Sequence, residues 1–262
     1  MTALAHALPT PSLVSADLLK LRKRRGLQII TALLTLGSVI VTYAVVEGLH
    51  LSNAAKHGVA GGTANLGNGA TVVMLFGTVA AVIVASMAGS GDLDSKVYRD
   101  LVVTGRSRLA LYLSRIPAGF LFLLPFVAIS YALAAVATVV FAGSTAVPST
   151  TLLVETGLWV VVQVAFYYLL ALGLSCVIGR SYTIGTMLAW VFAVTPLLGA
   201  ISALGSVRRL VPGVALHNLI PSGLPSQGSQ IAMSTAAVAA VLIAWTGALL
   251  VLGAWRDTRR DA

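Results

Sequence analysis

The sequence predicts an all-α integral membrane protein with six transmembrane helices, preceded by an amphipathic helix at the membrane interface. Three observations lead to this fold class. The 262 residues are 58% hydrophobic and only 10% charged, whereas soluble domains carry about 25% charged residues. Mean hydropathy is +0.94. The apolar residues fall into runs of about 20, and the cations gather in alternate loops between these runs.

Each apolar run is long enough to cross a hydrocarbon core of about 30 Å as a helix. Apolar residues occupy consecutive positions in these runs, whereas the strands of a membrane barrel alternate polar and apolar residues. The whole chain, 1–262, is therefore expected to form one transmembrane domain. The predicted spans are 27–46, 69–90, 117–141, 153–178, 182–203 and 231–254, followed by a cytoplasmic tail at 255–262.

An interfacial helix is predicted over residues 13–26, after a polar and disordered tail at 1–12. Apolar and charged residues mix there at helical spacing, and cations fill the last turn. Ser15 is expected to cap this helix, with Asp17 in its first turn. Short basic amphipathic helices of this kind lie in the membrane interface. This one leads directly into the first span.

The 17 lysines and arginines are distributed unevenly among the loops. Cytoplasmic flanks of membrane spans are enriched in Lys and Arg, so both termini and the loop 92–115 are expected to be cytoplasmic. Residues 47–68, 142–152 and 206–230 are expected outside. Few aromatic residues are interleaved with the cations, whereas a nucleic-acid stacking platform requires several, so topology and anionic lipid explain the charge better. Three cations are predicted outside, Lys56, Arg208 and Arg209, and fourteen inside: Lys20, Arg22, Lys23, Arg24, Arg25, Lys96, Arg99, Arg106, Arg108, Arg115, Arg180, Arg256, Arg259 and Arg260.

The predicted outer segment 206–230 mixes apolar residues with three prolines, Pro212, Pro221 and Pro225. The prolines interrupt it too often for a membrane span, and it is too apolar for a free loop. We therefore expect short helices that dip into the outer leaflet, with their open backbone groups covered by protein.

Several kinds of site have no signature in the sequence. There is no nucleotide-binding G-x-x-x-x-G-K-[ST] loop, no H-E-x-x-H and no G-x-S-x-G. The four histidines lie in loops without metal-ligand spacing, and the single cysteine, Cys176, excludes an intramolecular disulfide. Ion-coupled carriers keep acids or bases near the midplane, whereas the spans here hold little beyond Glu155 and the deeper Gln163. No catalytic residue and no metal site is predicted.

The loop from Asp92 to Arg115 is the most distinctive segment of the chain. Two acids open it, and the VYRDLVV stretch has the spacing of a short amphipathic helix with Val97 and Leu101 on one side. Thr104-Gly105 should break this helix, and Ser107-Arg108 should begin a second helix that runs into the third span. A plain helical hairpin that holds two spans together is the alternative.

At this loop the chain resembles the permease subunits of the type 2 ATP-binding-cassette export family. In that family an acidic cluster after the second span leads into a pattern like E-x-E-x-G-T-x-E-x-L-x-x-x-P-x-S-R, and a Lys follows seven residues after the Arg. Lys96 replaces the usual Gly and Gly105 the usual Pro, while TGRSR looks typical of the family's high-GC Gram-positive members. The resemblance covers the whole chain. The positions that match are the acids Asp92 and Asp94, the apolar Leu101, the pair Ser107-Arg108, and Arg115 at the place of the Lys.

The resemblance implies which residues couple the chain to an ATPase. In the family this loop carries a coupling helix that fits a groove on a separate ATPase subunit. Four side chains are expected to contact the ATPase, and three others to fix the shape of the loop by capping and charge pairing. The contacts would be Val97, Tyr98, Leu101 and Val102, and the shaping residues Asp92, Asp94 and Arg108; Arg115 is also predicted to belong to the residues that couple the loop to the ATPase.

The family's working exporter contains two permeases and two ATPases, so the resemblance implies a homodimer or a pair with a homologous permease in a bacterial plasma membrane. ATP and Mg are expected in the partner subunit and no cofactor in this chain, which is not expected to be an enzyme. Two alternatives stay open. One is a membrane scaffold or regulatory subunit that transports nothing, and the other is an ion-coupled secondary transporter.

The lack of charge within the spans favours an apolar or amphipathic substrate, such as a lipid, a drug or antibiotic, or a peptide. The first span carries a polar stripe, Thr31, Thr35, Ser38 and Thr42, which is interpreted as the substrate path. In the alternative interpretation these hydroxyls bond to their own helix or across a helix contact. An outer gate is expected in the Pro-broken segment, at Pro212, His217 and Pro221.

Overall fold

The computed structural model describes residues 9–94, 107–224 and 231–259, without the side chains of 92–94. All the regular structure in these ranges is helical. In chain order the helices are α1 (Pro11–Lys23), α2 (Arg25–Ser52), α3 (Thr63–Asp94), α4 (Arg108–Val140), α5 (Thr150–Ile178), α6 (Arg180–Ala200), a 3₁₀ helix (Ser202–Leu210), α7 (Pro212–His217) and α8 (Thr235–Arg259).

Six of these helices, α2 to α6 and α8, are long and apolar enough to cross a membrane. They follow the order of the six predicted spans, so the predicted all-α membrane fold is confirmed. One end of the bundle holds α1, the start of α4, the junction of α5 with α6 and the end of α8. We call it the basic end, because Arg24, Arg108, Arg180 and Arg259 lie there. The opposite end holds the connections 53–62, 141–149 and 201–224.

The amphipathic helix α1 packs along α4 at the basic end. It begins at Pro11, a favourable first helical residue because proline lacks the N–H that would be left unpaired there. The last two residues of the predicted tail are therefore helical. Thr10, and not Ser15, occupies the N-cap position, and Asp17 lies one turn further along than expected. The backbone of Arg24 leaves the helical region and separates α1 from α2.

Helices α3 and α5 form the centre of the bundle. More than half of the most apolar stretch of each is buried, whereas only 11% of the corresponding stretches of α6 and α8 is buried. The small residues Ala81, Ala85 and Gly89 are buried along α3, and a Cβ atom at Gly89 would overlap the hydroxyl of Ser175 on α5. Small residues allow membrane helices to approach closely, which explains this packing.

Helix α8 packs against α5 through glycine. A Cβ atom at Gly173 would collide with the backbone of Leu249, and one at Gly253 would lie 2.8 Å from the carbonyl oxygen of Gly173. The small-residue row that the sequence suggests on this helix, Ala244 and Ala248, is instead exposed. The spacing of small residues in the sequence identifies rows along a helix, but it does not indicate which row faces a neighbouring helix.

Two spans contain a π-helical turn, Leu33–Gly37 in α2 and Trp190–Val194 in α6. In α6 the turn ends two residues before Pro196, which has no N–H to continue the α-helical ladder. Single π turns of this kind are frequent at functional sites.

At the opposite end, the connections are hydrogen-bonded to one another. The N–H of Gly61 donates to the carbonyl of Phe141 at 3.0 Å, and that of Thr63 donates to Ala146 at 2.8 Å. The glycine-rich connection is thus shorter than its composition suggests, 53–62, and tied to the end of α4. Gly62 is required for this turn because its φ is +88°.

The predicted outer segment contains short helices, the 3₁₀ helix Ser202–Leu210 and α7. Two indole N–H groups secure it to the spans. Trp159 on α5 donates to Leu216 at 3.3 Å, and Trp245 on α8 donates to Leu210 at 2.9 Å. The carbonyl of Leu210 lies at the end of the 3₁₀ helix, where no further helical N–H follows, and the carbonyl of Leu216 also accepts the N–H of Leu219 at 3.1 Å.

Candidate functional site

The distinctive loop connects α3 to α4 at the basic end. α3 extends to Asp94, and α4 begins at Arg108 after Ser107, whose hydroxyl accepts the N–H of Ala110 at 3.1 Å. The predicted second helix at Ser107-Arg108 is confirmed, with Ser107 as its N-cap. The predicted ATPase contacts Val97, Tyr98, Leu101 and Val102 lie outside the described residues, as do the side chains of Asp92 and Asp94.

Arg115 lies two turns inside α4 and is buried, with 2% of its side chain exposed. Its Nη1 donates to the carbonyl of Gly89 on α3 at 3.1 Å and to Sγ of Cys176 on α5 at 3.7 Å. The same nitrogen lies 3.7 Å from Oδ1 of Asp257 on α8. One guanidinium therefore joins four helices.

Asp257 is the fully buried counter-charge of this guanidinium. An isolated charge is very costly to bury, and an opposite charge with hydrogen bonds offsets much of that cost. The pair holds the end of α8 against α4. A second link runs in parallel, because Nη1 of Arg108 donates to the carbonyl of Thr258 at 3.1 Å.

A second acid, Asp17, connects α1 to the same part of α4. The hydroxyl of Ser114 donates to Oδ2 of Asp17 at 2.5 Å, and Lys20 pairs with Oδ1 at 3.1 Å. Ser114 is adjacent to Arg115 in the chain and is itself buried. The interfacial helix and the end of α8 are therefore attached to neighbouring residues of α4.

Two buried tyrosines complete the contacts. The hydroxyl of Tyr168 on α5 donates to the carbonyl of Arg115 at 2.7 Å, in a space that exists because residue 119 is glycine. The hydroxyl of Tyr112 donates to the carbonyl of Leu250 on α8 at 3.1 Å. We call this set the basic-end cluster: Asp17, Gly89, Tyr112, Ser114, Arg115, Tyr168, Cys176 and Asp257.

The basic-end cluster changes the interpretation of Arg115. Sequence reasoning placed it among the residues that couple the loop to an ATPase, but a side chain buried among four helices cannot contact a separate subunit. Its position suits a different task, which is to hold the helix that continues the loop. Asp17, Tyr168 and Asp257 were missed. The available signal was the presence of acids in two strongly basic segments, Asp17 in 13–26 and Asp257 with Asp261 in 255–262.

The polar stripe of the first span does not face an open path within the chain. Thr31 and Thr35 are buried, and Thr35 donates back to the carbonyl of Thr31 at 2.7 Å. Ser130 on α4 donates to the carbonyl of Thr35 at 2.8 Å. Ser38 also bonds its own helix, and with Thr42 it is partly exposed. Hydroxyl bonding to the same helix, the alternative interpretation, describes Thr35 and Ser38, whereas the buried hydroxyl of Thr31 has no hydrogen-bond partner among the described residues.

The predicted gate residues separate into two groups. Pro212 and Pro221 are buried, whereas His217 is partly exposed and lines a cavity between α3, α5, α6 and this segment. In the part of the chain that the structure describes, no three His, Cys, Asp or Glu side chains are grouped as a metal site would require.

The description "ABC-2 family transporter protein" belongs to a family model that matches residues 13–196. That range is more than two thirds of the 262 residues. The chain belongs to the ABC-2 transporter family. A comparison with curated proteins gave no match.

Membership in the ABC-2 family makes this chain an ABC-type permease and a multi-pass membrane protein. The match begins in α1 and ends in α6, so it includes the whole basic-end cluster except Asp257. Nothing in it bears on the narrower resemblance to high-GC Gram-positive members, which stays a prediction.

Proposed function

We propose that this ABC-2 permease is the membrane subunit of an ATP-driven exporter and is coupled through the loop between α3 and α4 to a separate ATPase. The observation that carries the proposal is the basic-end cluster, taken together with family membership. A motor that moves a loop does work on the membrane helices only if the loop is rigidly attached to them. In this chain α4 starts at the loop and is bonded to α1, α3, α5 and α8 within two turns.

The cluster supplies the stiffness that coupling requires. The charge-assisted hydrogen bonds that Arg115 donates and Asp17 accepts are short-range and directional, and those at Arg115 are shielded from water, which strengthens them. A displacement of the start of α4 would therefore displace α8 and the interfacial helix with it. ATP and Mg would be bound by the ATPase, and this chain would contribute no catalytic group.

The basic end would face the cytoplasm, since the positive-inside rule places Lys- and Arg-rich ends there. That orientation puts both termini and the coupling loop on the side where ATP is available, in a plasma membrane. The exposed apolar faces of α2, α6 and α8 would contact lipid and a second permease, either another copy or a homologous chain.

An apolar or amphipathic substrate is favoured, for example a lipid, a drug or antibiotic, or a peptide. Buried ionisable residues in a span mark charged substrates and ion pathways. Among the described residues, the buried charged side chains Arg115 and Asp257 pair with each other at the basic end. The middle of the bundle therefore offers little to a charged cargo.

The test is co-purification of the chain with an ATP-binding-cassette ATPase, followed by ATP hydrolysis assays in proteoliposomes. Replacing Leu101 by Asp should leave insertion and purification unchanged but lower permease-dependent stimulation of hydrolysis at least tenfold, because an unpaired charge in an apolar groove costs several kcal/mol. Leu19→Asp, at an exposed position of α1, is the matched control.

The same assay separates the alternatives. Full stimulation in the Leu101→Asp variant would show that coupling uses another surface. Binding of the ATPase without stimulation and without transport would identify a scaffold or regulatory subunit. Transport that follows an ion gradient and needs no ATP would identify a secondary carrier.

A further inference from the structure

A cavity of about 580 Å³ lies between α3, α5, α6 and the segment that contains α7. It extends inward from the opposite end, where His217 lines it, to Met74 on α3 and Gln163 on α5. At 1.5 Å per residue, Gln163 lies about 20 Å along α5 from Thr150, close to the middle of that helix. The cavity therefore reaches about halfway through the bundle.

Among the described residues that line this cavity, Gln163 carries the polar group that the packing does not explain. It is partly buried in the middle of a span, and its amide forms no hydrogen bond with another described residue. Other polar groups along the cavity already have partners. Trp159 uses its only donor on Leu216, and the hydroxyl of Thr71 donates to Gly67 at 2.8 Å.

An amide without partners is costly in a low-dielectric environment, whereas an amide that faces a cavity can bond to what enters it. Its two N–H donors and its carbonyl acceptor can pair with a hydroxyl, a carbonyl or an amide of a ligand. Pro196, which follows the π turn of α6 by two residues, also lines the cavity.

The remaining wall limits the class of ligand. Most of the described lining residues are apolar, and His217 is the one titratable side chain among them. A charged ligand would find no counter-charge near Gln163. The volume lies within the range of about 300–1,000 Å³ that is typical of pockets for drug-sized ligands, which are likewise apolar with a few placed polar groups.

We propose that this cavity is a binding site for an uncharged amphipathic molecule, whose apolar body fills the space beside Met74 and Trp159 and whose polar group bonds to Gln163. The proposal rests on the proposed export function and gives it a substrate class and a site within a single chain. It also moves the substrate site away from the stripe of the first span, where Thr31 and Thr35 are buried against neighbouring residues and line no described cavity.

Trp159 allows a direct test because it lines the cavity and is only 8% exposed. In a variant with Trp190, Trp245 and Trp255 replaced by Phe, Trp159 is the single fluorophore of the four tryptophans. Bromine quenches indole on contact, so 11-bromoundecanol, an uncharged amphiphile, serves as the probe in nanodiscs that contain the chain without an ATPase. 1-Bromoundecane is the matched probe without a polar group.

We expect saturable quenching of Trp159 by 11-bromoundecanol that is reversed by unbrominated undecanol. Gln163→Leu should weaken the apparent affinity roughly tenfold, the effect of one hydrogen bond, and leave quenching by 1-bromoundecane unchanged. Gln28→Leu, which removes an amide outside this cavity, is the control and should have no effect. Gly67→Phe should abolish quenching by both probes, because residue 67 lines the cavity with space for a side chain.

A second variant that keeps only the exposed Trp255 measures quenching by probe dissolved in the bilayer. If quenching of Trp159 rises linearly with probe concentration and equals that of Trp255, the probe is only partitioning into lipid, and the proposal is overturned. Equal affinities in wild type and Gln163→Leu would overturn the role of Gln163. No ATPase is present in the quenching experiment, so a negative quenching result would not contradict the proposed coupling to an ATPase. Equally, a failure of this chain to stimulate ATP hydrolysis would not contradict binding of the amphiphile in the cavity.

Discussion

At the scale of single residues, Arg115 and Asp257 decide how the basic end is held together. Each is buried and each is the other's counter-charge, so removing one leaves the other uncompensated. Arg115→Leu or Asp257→Leu alone should destabilise the chain by about 3–5 kcal/mol. The double variant, which removes both charges, should recover most of that loss.

Thermal aggregation of the detergent-purified chain, followed by size-exclusion chromatography, measures these effects. Lys20→Leu is the control, because the pair of Lys20 with Asp17 is partly exposed, and such pairs contribute at most about 1 kcal/mol. If the stability lost in the double variant equals the sum of the stabilities lost in the two single variants, the two residues act independently and do not form a pair.

At the scale of elements, two glycines on α8 predict opposite responses to the same change. A Cβ atom at Gly253 would lie 2.8 Å from the carbonyl of Gly173 and from the hydroxyl of Tyr112, whereas one at Gly247 would meet nothing within 4 Å. Gly253→Ala should push α8 away from α5 and cost about 1–3 kcal/mol. Gly247→Ala should be neutral or stabilising by up to about 1 kcal/mol, since alanine favours the helix.

Unfolding midpoints of the two variants in the same detergent test this contrast. Equal midpoints would mean that α8 does not approach α5 as closely as the structure has it. The comparison also matters for coupling, because the displaced end of α8 carries Asp257.

At the scale of the whole molecule, the orientation in the membrane follows from the charge difference between the two ends. Lys56 at the opposite end and Arg25 at the basic end are both exposed. In a Cys176→Ser background, Lys56→Cys should react with an impermeant thiol reagent in intact cells, and Arg25→Cys only after the cells are opened. The reverse pattern would show that the basic end faces outward.

The sequence by itself determined the membrane class, the number and order of the spans, the start of α4 at Ser107-Arg108 and the resemblance to the family. These properties depend on local quantities. Hydrophobic length decides whether a helix can cross a bilayer, and a serine hydroxyl caps a helix within three residues of itself. The loop motif is likewise contiguous, so it can be read without knowing what packs against it.

The tertiary structure alone decided which residues meet. Asp257 follows Arg115 by more than a hundred residues, and nothing in the local sequence says that the two charges share one buried site. The stripe from Thr31 to Thr42 has the same period whether its hydroxyls face a cavity or a neighbouring helix. Likewise, Gln163 reads as one more residue of an apolar span until three other segments enclose a space beside it. Helical periodicity fixes the face on which a side chain lies, and only the packing of distant helices fixes what that face touches.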